Sequence, residues 1–571
     1  MLKSSSSIII ALSLLSFARL DAAVIPDAGS IMREQNPQRE LPGNLPPKEQ
    51  ENPVITNETV HSVQVTVKGF RFEGYNGLAN EAELQALVAG SVGKKLNSAD
   101  LKSLVGKVTA YLRSKGWLLA RAYLPQQDLS SGILTIGIVQ GKSDGSIQIH
   151  RDSTVRIENY KLQGIANKGA IPGEPVNQDR LERAILLEND LPGVNAKAEI
   201  APGSTPGSSI VRFNVSEGAP ITSTVWGDNQ GNRYTGSLRG NALVSLNDPF
   251  HYGDQITFLY TEASGLNQGK IGYNFPLGSN GLKGNLSLTG MTYTLQEELK
   301  SLEYKGDSSV IDGGLTYPLV KSRKTTVVVG LNYADKHLTD SQSGTGLRDK
   351  TVKVGNLSLS ALNFDSWFGG GSTNAKLGVS YGDFHESNTL AATDASLSKV
   401  QGGYTTLMAG LSRLQSVSDR VTLNLSWSSQ YAFDNLDSSE KYFLGGPDGV
   451  RAFPVGEARG DSGHLLNADL RYQLPVPACW GKIQFGGFYD AGRITVNTNR
   501  FAGDVSSASN KNEYWLQGAG LSLNWQIANN YVIRSSWAHS IGENAGRSIL
   551  GLNSDGKSDT SRFWLQGMIN F

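Results

Sequence analysis

One arginine lies among apolar residues in a long glycine-rich segment, GPDGVRAFPVGEARGDSG, at positions 446–463. Arg451 stands between Val450 and Ala452, and Phe453 follows. A guanidinium group can bind a carboxylate through two parallel hydrogen bonds, which a lysine ammonium cannot do. The chemistry that this segment offers is therefore an ion pair that would tether a loop to a carboxylate elsewhere in the fold.

The candidate partner of Arg451 is Asp490, which lies in the strand-like segment IQFGGFYDAG. Successive side chains of a strand point to opposite faces, so Phe488, Asp490 and Gly492 share one face and Phe485 lies on the other. If the face that carries Phe485 meets lipid, Asp490 points to the interior of the fold. We therefore expect Arg451 and Asp490 to meet there.

Other short motifs do not support catalytic chemistry. Residues 137–143, GIVQGKS, lack one residue between the glycines of a phosphate loop, and they end a strand instead of opening a helix. Ser462 lies in the tetrapeptide GDSG, but no histidine or acid is arranged to serve it. The seven histidines lack the paired spacing of a zinc site, and the single cysteine, Cys479, excludes an intramolecular disulfide. We predict no catalytic residue, no metal and no cofactor, and therefore no enzyme.

The elements that must position the tether are strands. From Pro220 to Phe571 apolar and polar residues alternate, as in VTLNLSWSSQYAF at positions 421–433, and we count sixteen such segments. This pattern predicts a membrane β-barrel of 16 antiparallel strands with alternating short and long loops. A soluble β-sandwich is the alternative, which the aromatic strand ends and the apolar leader disfavour.

The first 23 residues, MLKSSSSIIIALSLLSFARLDAA, have a lysine, an apolar run and small residues in the order of a secretory signal peptide. The rest of the chain contains no further apolar run of the roughly 18 residues that a spanning helix needs. A chain that is exported and enters a membrane without such a helix must do so as a barrel.

Between the leader and residue 60 the sequence predicts a short helix and a linker. The helix would run from Ile25 to about Glu40, with Pro37 interrupting it, and a proline-rich extended segment follows. A disordered leader is the alternative. Because a barrel of sixteen strands has a lumen wide enough for water, a plug is needed.

Two α/β modules precede the barrel. Residues 60–142 predict a strand, two helices and two strands, with Asn97 or Ser98 as the N-cap of the second helix. Residues 143–219 repeat the pattern more weakly, with a single helical segment, NQDRLERAILLEND, between strands. The chain carries 52 basic and 52 acidic residues, so the basic surface that nucleic acid requires is not expected.

The combination resembles the transporters of two-partner secretion, the TpsB family in the superfamily that includes BamA. Members have an inward-folded loop with a VRGY or VRGF motif and a facing strand with F-x-D-x-G. This sequence offers Val450–Phe453, with Ala452 where glycine is usual, and Phe488, Asp490 and Gly492. The resemblance implies this domain order: signal peptide 1–23, helix and linker 24–59, POTRA modules 60–142 and 143–219, and barrel 220–571 with its inward loop at 435–462. It also implies that the N-terminal helix is the plug of the pore.

The resemblance also implies a function in the outer membrane of a Gram-negative bacterium, with the POTRA modules in the periplasm. There they would receive an unfolded TpsA-type exoprotein, such as an adhesin, a cytolysin or a contact-dependent inhibition toxin, by adding it as a strand to an exposed sheet edge. A monomer surrounded by outer-membrane lipid is expected. The candidate contacts, most of which hydrophobic patterning also assigns to the module core, are Phe70, Phe72, Trp117, Leu119 and Tyr123.

Three alternatives remain open at this point. An outer-membrane assembly factor like BamA would use the same loop motif, although two modules are fewer than expected. A passive porin would leave the periplasmic modules without a role. A surface adhesin or structural barrel is the third possibility.

Overall fold

The computed structural model describes residues 25–35, 64–387, 398–501, 504, 507–528 and 530–571. The predicted signal peptide and most of the predicted linker lie outside these described residues. Among the residues that are described, no helix combines the length and the apolar character of a membrane span.

The first helix, α1, runs from Ala28 to Glu34. It begins at Asp27 because the Asp27 carboxylate accepts a hydrogen bond from the Ser30 backbone, and the Ser30 hydroxyl lies 3.0 Å from the Asp27 backbone nitrogen. The predicted start at Ile25 is therefore wrong by three residues. The helix ends at Glu34, and the rest of the predicted helix, residues 36–40, lies outside the described residues.

The first module contains a three-stranded sheet in the order β2, β5, β4, covered by two helices. Its core consists of apolar side chains from one face of each helix and from the strands. The predicted order of one strand, two helices and two strands is present, together with a small additional strand pair. Its elements are β1 Val65–Thr66, β2 Gly69–Glu73, α2 Glu81–Val88, β3 Lys95–Leu96, α3 Ser98–Ser114, β4 Arg121–Tyr123 and β5 Ile133–Val139.

The second module has a sheet in which β9 is central, with β6 and β7 on one side and β8 on the other. It contains one helix more than the sequence predicted. The missed helix, α4, has only eight residues and its N-cap, Glu158, makes no side-chain capping bond, so it lacks the usual start signal. The elements are β6 Lys142–Ser143, β7 Gln148–Arg151, α4 Asn159–Ala166, α5 Gln178–Asn189, β8 Val194–Pro202 and β9 Ser208–Glu217.

Sixteen antiparallel strands form one closed barrel, which confirms the predicted fold and strand number. Two further short strands, β21 Tyr442–Phe443 and β22 Arg459–Gly460, pair with each other in the loop between β20 and β23. The barrel strands are β10 Ile221–Asp228, β11 Arg239–Asn247, β12 Gln255–Ala263, β13 Leu266–Leu277, β14 Leu282–Thr294, β15 Tyr304–Lys321, β16 Thr325–Gln342, β17 Thr345–Asp365, β18 Gly371–Glu386, β19 Gly402–Ser416, β20 Val421–Ala432, β23 Ser462–Gln473, β24 Lys482–Thr495, β25 Glu513–Ile527, β26 Tyr531–Ser540 and β27 Ser561–Asn570.

The two faces of the barrel wall differ in chemistry as the alternation predicts. Along β20 the apolar Leu425, Trp427 and Tyr431 are exposed on the outside, whereas Asn424 and Gln430 are buried inside. An apolar outer face suits lipid, and a polar inner face is typical of a barrel with a wet lumen.

The second module lies against the barrel turns at the end opposite the long loops. The Arg183 guanidinium donates to the Pro318 carbonyl at 2.8 Å, and Lys321 pairs with Asp190 at 2.8 Å. The Lys161 ammonium lies 3.4 Å from the centre of the Tyr252 ring. These polar contacts fix the orientation of the second module relative to the barrel mouth.

Candidate functional site: the filled lumen and the periplasmic groove

The loop between β20 and β23 folds back into the barrel, where it contacts residues of the inner wall. Its small apolar core is fully shielded from solvent: Leu444, Val450 and Ala452 are 0% exposed and Phe453 is 2% exposed. The Val450 backbone donates to the Leu444 carbonyl at 2.6 Å, which holds the arginine-bearing turn against the first part of the loop.

Arg451 binds Asp490 through three hydrogen bonds. Its Nε lies 2.8 Å from Oδ2, its Nη2 lies 2.6 Å from Oδ1, and its backbone nitrogen lies 3.1 Å from Oδ2. Arg451 is 5% exposed and Asp490 is 0% exposed, so the pair is removed from bulk water. The fork of the guanidinium thus fits the carboxylate in the bidentate manner that lysine could not reproduce.

The remaining faces of Arg451 are also occupied. Its Nη1 donates to Asp469 at 2.8 Å, and its guanidinium carbon lies 3.4 Å from the centre of the Phe488 ring. The Trp564 indole donates to the Arg451 carbonyl at 2.8 Å. Sequence reasoning missed Asp469, although β23 alternates and its parity places this carboxylate on the inner face.

One motif glycine and one departure from the motif have a steric explanation. A Cβ atom at Gly492 would lie 2.5 Å from the Leu444 side chain, so the glycine leaves room for the loop. At Gly518 on the adjacent strand a Cβ atom would lie 2.6 Å from the Ala452 Cβ. The wall glycine at position 518 therefore accommodates the methyl group that Ala452 carries in place of the usual loop glycine.

Helix α1 lies inside the same barrel and is joined to both the wall and the loop. Lys350, an inward-facing residue of β17 that is 1% exposed, donates to Asp27 at 2.8 Å and to Asp437 at 2.7 Å. The Ser438 hydroxyl donates to Asp27 at 2.7 Å, and the Ala28 backbone donates to Asp340 at 2.9 Å. One ammonium group thus links the N-terminus of the helix, the wall and the loop.

The other end of α1 is held in a similar way. Glu34 accepts from Arg459 of the loop at 2.8 Å and from the Asn232 amide at 3.0 Å. The Arg33 guanidinium donates to the Lys441 carbonyl at 3.2 Å. Charged and polar contacts therefore anchor both ends of the segment that fills the lumen.

The five candidate contacts in the first module do not form one surface. Phe70 and Phe72 are 8% and 4% exposed in the module core, and the Trp117 indole donates to the Leu78 carbonyl at 2.8 Å. Leu119 packs against the core of the second module, and among the five Tyr123 alone is well exposed, at 43%.

A groove that sequence reasoning missed lies on the second module, between α5 and β8. Its volume is about 460 Å³, and it extends from Leu118 at the junction of the modules to Arg323 on a barrel turn. Along AKAEIAP of β8, small or apolar side chains alternate with the charged Lys197 and Glu199. This alternation is the sequence signal that could have indicated the groove. The apolar residues that line it are Leu118, Leu181, Ile185, Leu186, Ala196, Ala198 and Ile200.

Two family profiles match the chain. One, described as haemolysin secretion/activation protein ShlB/FhaC/HecB, matches residues 207–521, and one for the ShlB-type POTRA domain matches residues 65–141. The heme/hemopexin transporter protein HuxB of Haemophilus influenzae strain Rd is 25% identical over 96% of this chain and 95% of its own length. The outer membrane transporter CdiB of Escherichia coli O6:K15:H31 is 27% identical over 69% of this chain and 66% of its own.

Solved structures show the same fold. CdiB from Escherichia coli superposes with a TM-score of 0.72 at 20% identity, covering 90% of this chain and 93% of that one. BamA from Haemophilus ducreyi lacking POTRA domains 1–3 superposes with a TM-score of 0.51 at 14% identity, covering 89% of this chain and 100% of that one.

The barrel and the POTRA modules place the chain in the outer membrane with its modules in the periplasm. Its family profile covers more than half of the sequence and spans most of the barrel. The chain therefore belongs to the ShlB/FhaC/HecB family of haemolysin secretion/activation proteins, the outer-membrane transporters of two-partner secretion.

Proposed function

We propose that the chain captures an unfolded exoprotein in the groove between α5 and β8 and passes it through the lumen after α1 and the inward loop move. The observation that carries this proposal is that α1 and the inward loop fill the lumen through polar contacts. Both segments that fill it are held to the wall by ion pairs and hydrogen bonds, such as Lys350 with Asp27 and Arg451 with Asp490. Such contacts can be exchanged for water, so the lumen can open without loss of the barrel.

The groove has the properties of a strand-addition site. Extended peptides bind at free sheet edges through backbone hydrogen bonds, while pockets beside the edge take alternate side chains. Strand β8 is an edge strand, and Ile200 on it is 38% exposed beside the apolar residues of α5. This groove replaces the first-module residues as our candidate for capture, because Phe70 and Phe72 are core residues.

We place the two periplasmic modules at 60–141 and 142–219, one residue from the predicted boundary so that β6 stays whole, and the barrel at 220–571. We place the exposed apolar side chains of the barrel wall in outer-membrane lipid. Because β10 pairs with β27 of the same chain, the pore is complete in one copy, and we propose that a monomer transports.

The exoprotein is proposed to be a large TpsA-type partner. A relative that matches 96% of the chain is named as a heme/hemopexin transporter, and one that matches 78% is named as a hemolysin transporter. These names add a heme- or hemopexin-binding exoprotein to the adhesin, cytolysin and inhibition toxin already considered. An assembly factor is supported only by likeness of fold to BamA.

The test compares two substitutions of exposed isoleucines in cells that express the transporter and its exoprotein. Ile200→Glu places a charge in the groove, and we expect roughly tenfold less exoprotein in the medium because an apolar contact is lost. Ile133→Glu is the matched control, since Ile133 is 48% exposed on β5 of the first module, outside the groove. Equal secretion by both variants and the wild type would rule out the groove as the capture site.

A further inference from the structure

The outer edge of β8 can be read residue by residue from its pairing with β9. The Gly203 backbone donates to the Ser208 carbonyl at 3.0 Å, and the Gly218 backbone donates to the Gly193 carbonyl at 2.8 Å. In an antiparallel ladder every second residue exchanges such bonds with its partner. The odd-numbered residues of β8 therefore bond to β9, and the even-numbered residues direct their N–H and C=O groups away from it.

Both ends of this outer edge are already closed. The Val194 backbone donates to the Leu191 carbonyl at 3.1 Å, so its N–H group is occupied by the turn before the strand. Pro202, at the other end, has no N–H group to donate.

At Ala196, the next even-numbered residue after Val194, the Asn189 side chain bonds to the outer edge of β8 as a neighbouring strand would. Its Oδ1 accepts from the Ala196 backbone nitrogen at 2.9 Å, and its Nδ2 donates to the Ala196 carbonyl at 2.9 Å. The Asn189 amide also donates to the Ile185 carbonyl at 2.8 Å, which fixes it at the end of α5. One side-chain amide thus satisfies both outward groups of Ala196, as a backbone peptide unit of an added strand would.

Only Ala198 and Ile200 remain with both outward backbone groups available. Neither residue has a hydrogen bond on this edge within the part of the chain that the structure describes. Their side chains line the groove beside α5. The available edge is therefore a window of two residues, closed on one side by the Asn189 amide and on the other by Pro202.

We propose that Asn189 sets the register of the captured chain, so that an extended segment of the secreted polypeptide pairs with Ala198 and Ile200 and stops at Ala196. This inference rests on the proposed function of the groove and identifies Asn189 as the residue that determines its specificity. The occupant is a short extended segment with small or apolar side chains at alternate positions, which enter the groove. A ladder limited to two residues also keeps capture reversible, as a chain that must move on to the lumen requires.

The experiment measures backbone hydrogen exchange at single-residue resolution on the full chain in detergent micelles. The probe is a capped peptide of about eight alternating threonine and valine residues, which favours an extended strand. In the wild type we expect the probe to slow exchange at Ala198 and Ile200 by at least about tenfold, with Ala196 slow before and after addition. In Asn189→Ala we expect Ala196 to exchange fast alone and to slow when the probe binds.

Two controls separate the role of Asn189 in setting the register from the binding of a strand to the groove. Ala198→Pro removes an outward donor without removing a bond to β9, because proline is tolerated where a strand edge faces solvent. Slow exchange at Phe213, in the middle of β9, shows in each variant that the module is folded. A probe N-methylated at every residue, which cannot donate along either edge, is expected to give no protection.

The outcomes are distinguishable. Unchanged probe binding by Ala198→Pro would overturn the groove as a strand-addition site, and with it the proposed function. If Ala198→Pro loses binding while Asn189→Ala keeps the probe on the same two residues, the groove stands and the role of Asn189 is overturned. Protection that extends to Ala196 only in Asn189→Ala supports the inference.

Discussion

At the scale of single residues, Arg451 balances two buried carboxylates. Asp490 and Asp469 are 0% and 1% exposed, and both are within 2.8 Å of the guanidinium. Removing the cation would take the bidentate partner from Asp490 and would leave Asp469 with its longer, 3.8 Å contact to Arg471. A residue with this role holds the loop in one position, and its loss is expected to affect transport before it affects the barrel.

We therefore predict that Arg451→Ala reduces exoprotein release while the barrel still inserts. Removing one partner of a buried ion pair costs about 3–5 kcal/mol, and a wetter lumen would lower that figure. Release is measured in the medium, and insertion by the shift in gel mobility between unheated and boiled samples. Arg451→Lys should restore only part of the release, because lysine cannot bind a carboxylate through two parallel hydrogen bonds.

The matched control for Arg451 is Arg493→Ala on β24. Arg493 pairs with Glu513, but the two side chains are 45% and 50% exposed, and pairs of this kind contribute between 0 and about 1 kcal/mol. Normal release from Arg451→Ala, or an equal loss from both variants, would contradict the tether.

A second prediction at this scale concerns Glu188 of α5. The side chain is 0% exposed, neither carboxylate oxygen has a hydrogen-bond partner among the residues that the structure describes, and burial raises the pKa of Glu188 to about 8. Because this value lies above the ordinary 4.5, the contribution of Glu188 to the stability of the module is greatest below pH 4.5 and is lost as pH rises toward 8. The free energy of unfolding of Glu188→Gln should therefore exceed that of the wild type by a margin that grows with pH across this range, up to about 4 kcal/mol.

The measurement is the urea midpoint for protease cleavage of the second module in the full chain, with both proteins compared at the same pH. Glu188→Met provides a second variant without a carboxyl group. A difference between wild type and variants that stays constant from pH 5 to pH 8 would show that Glu188 is not the group responsible.

A site residue could be predicted when the sequence immediately around it carries the information. Arg451 and Asp490 were predictable because a motif names one and strand parity places the other. Asp469 had the parity signal but no motif. The role of Asn189 could not be predicted, because it depends on which backbone groups of β8 remain unpaired after the module folds.

At the scale of elements, α1 is too short to be stable alone and depends on its anchors. Isolated helices below about 12–15 residues are marginal in water, and α1 has seven residues. Its burial and its contacts with Lys350 and Asp340 therefore keep it helical inside the barrel. The helix begins after the predicted Ile25, at the cap formed by Asp27, and the sequence alone could not show that Lys350 of the wall holds this cap.

We predict that Asp27→Ala releases α1 from the lumen more often. The substitution removes an N-cap, which costs about 0.5–2 kcal/mol, and also the pair with Lys350. Single-channel recordings in planar bilayers should then show longer open times and higher mean conductance. A chain that lacks residues 25–35 gives the upper limit of this effect.

Asn97→Ala is the control for loss of a cap. Asn97 caps α3 in the first module through a hydrogen bond from the Asp100 backbone at 2.9 Å, outside the barrel. It should leave conductance unchanged. If Asp27→Ala and the deletion both conduct like the wild type, α1 is a spacer and does not plug the pore.

At the scale of the whole molecule, the barrel closes along its shortest ladder. Strands β10 and β27 share five residue pairs, whereas β10 shares eight with β11 and β27 shares nine with β26. The alternation of apolar and polar residues predicted the number of strands, because each strand carries that pattern within its own sequence. It could not show which junction is short, because the register between the first and last strands is a long-range property.

The terminal residue extends this junction. The Phe571 backbone donates to the Ser223 carbonyl at 2.8 Å, and the Ser223 backbone donates to the Phe571 carbonyl at 3.2 Å. We predict that deleting Phe571 lowers the temperature at which the folded barrel converts to the unfolded gel form, because two of the few bonds across the junction are lost. Phe571→Ala keeps those backbone bonds and removes only a ring that is 71% exposed, so it should remain closer to the wild type. An equal shift in both variants would assign the effect to contact of the ring with lipid, and closure would then not depend on the terminal backbone pair.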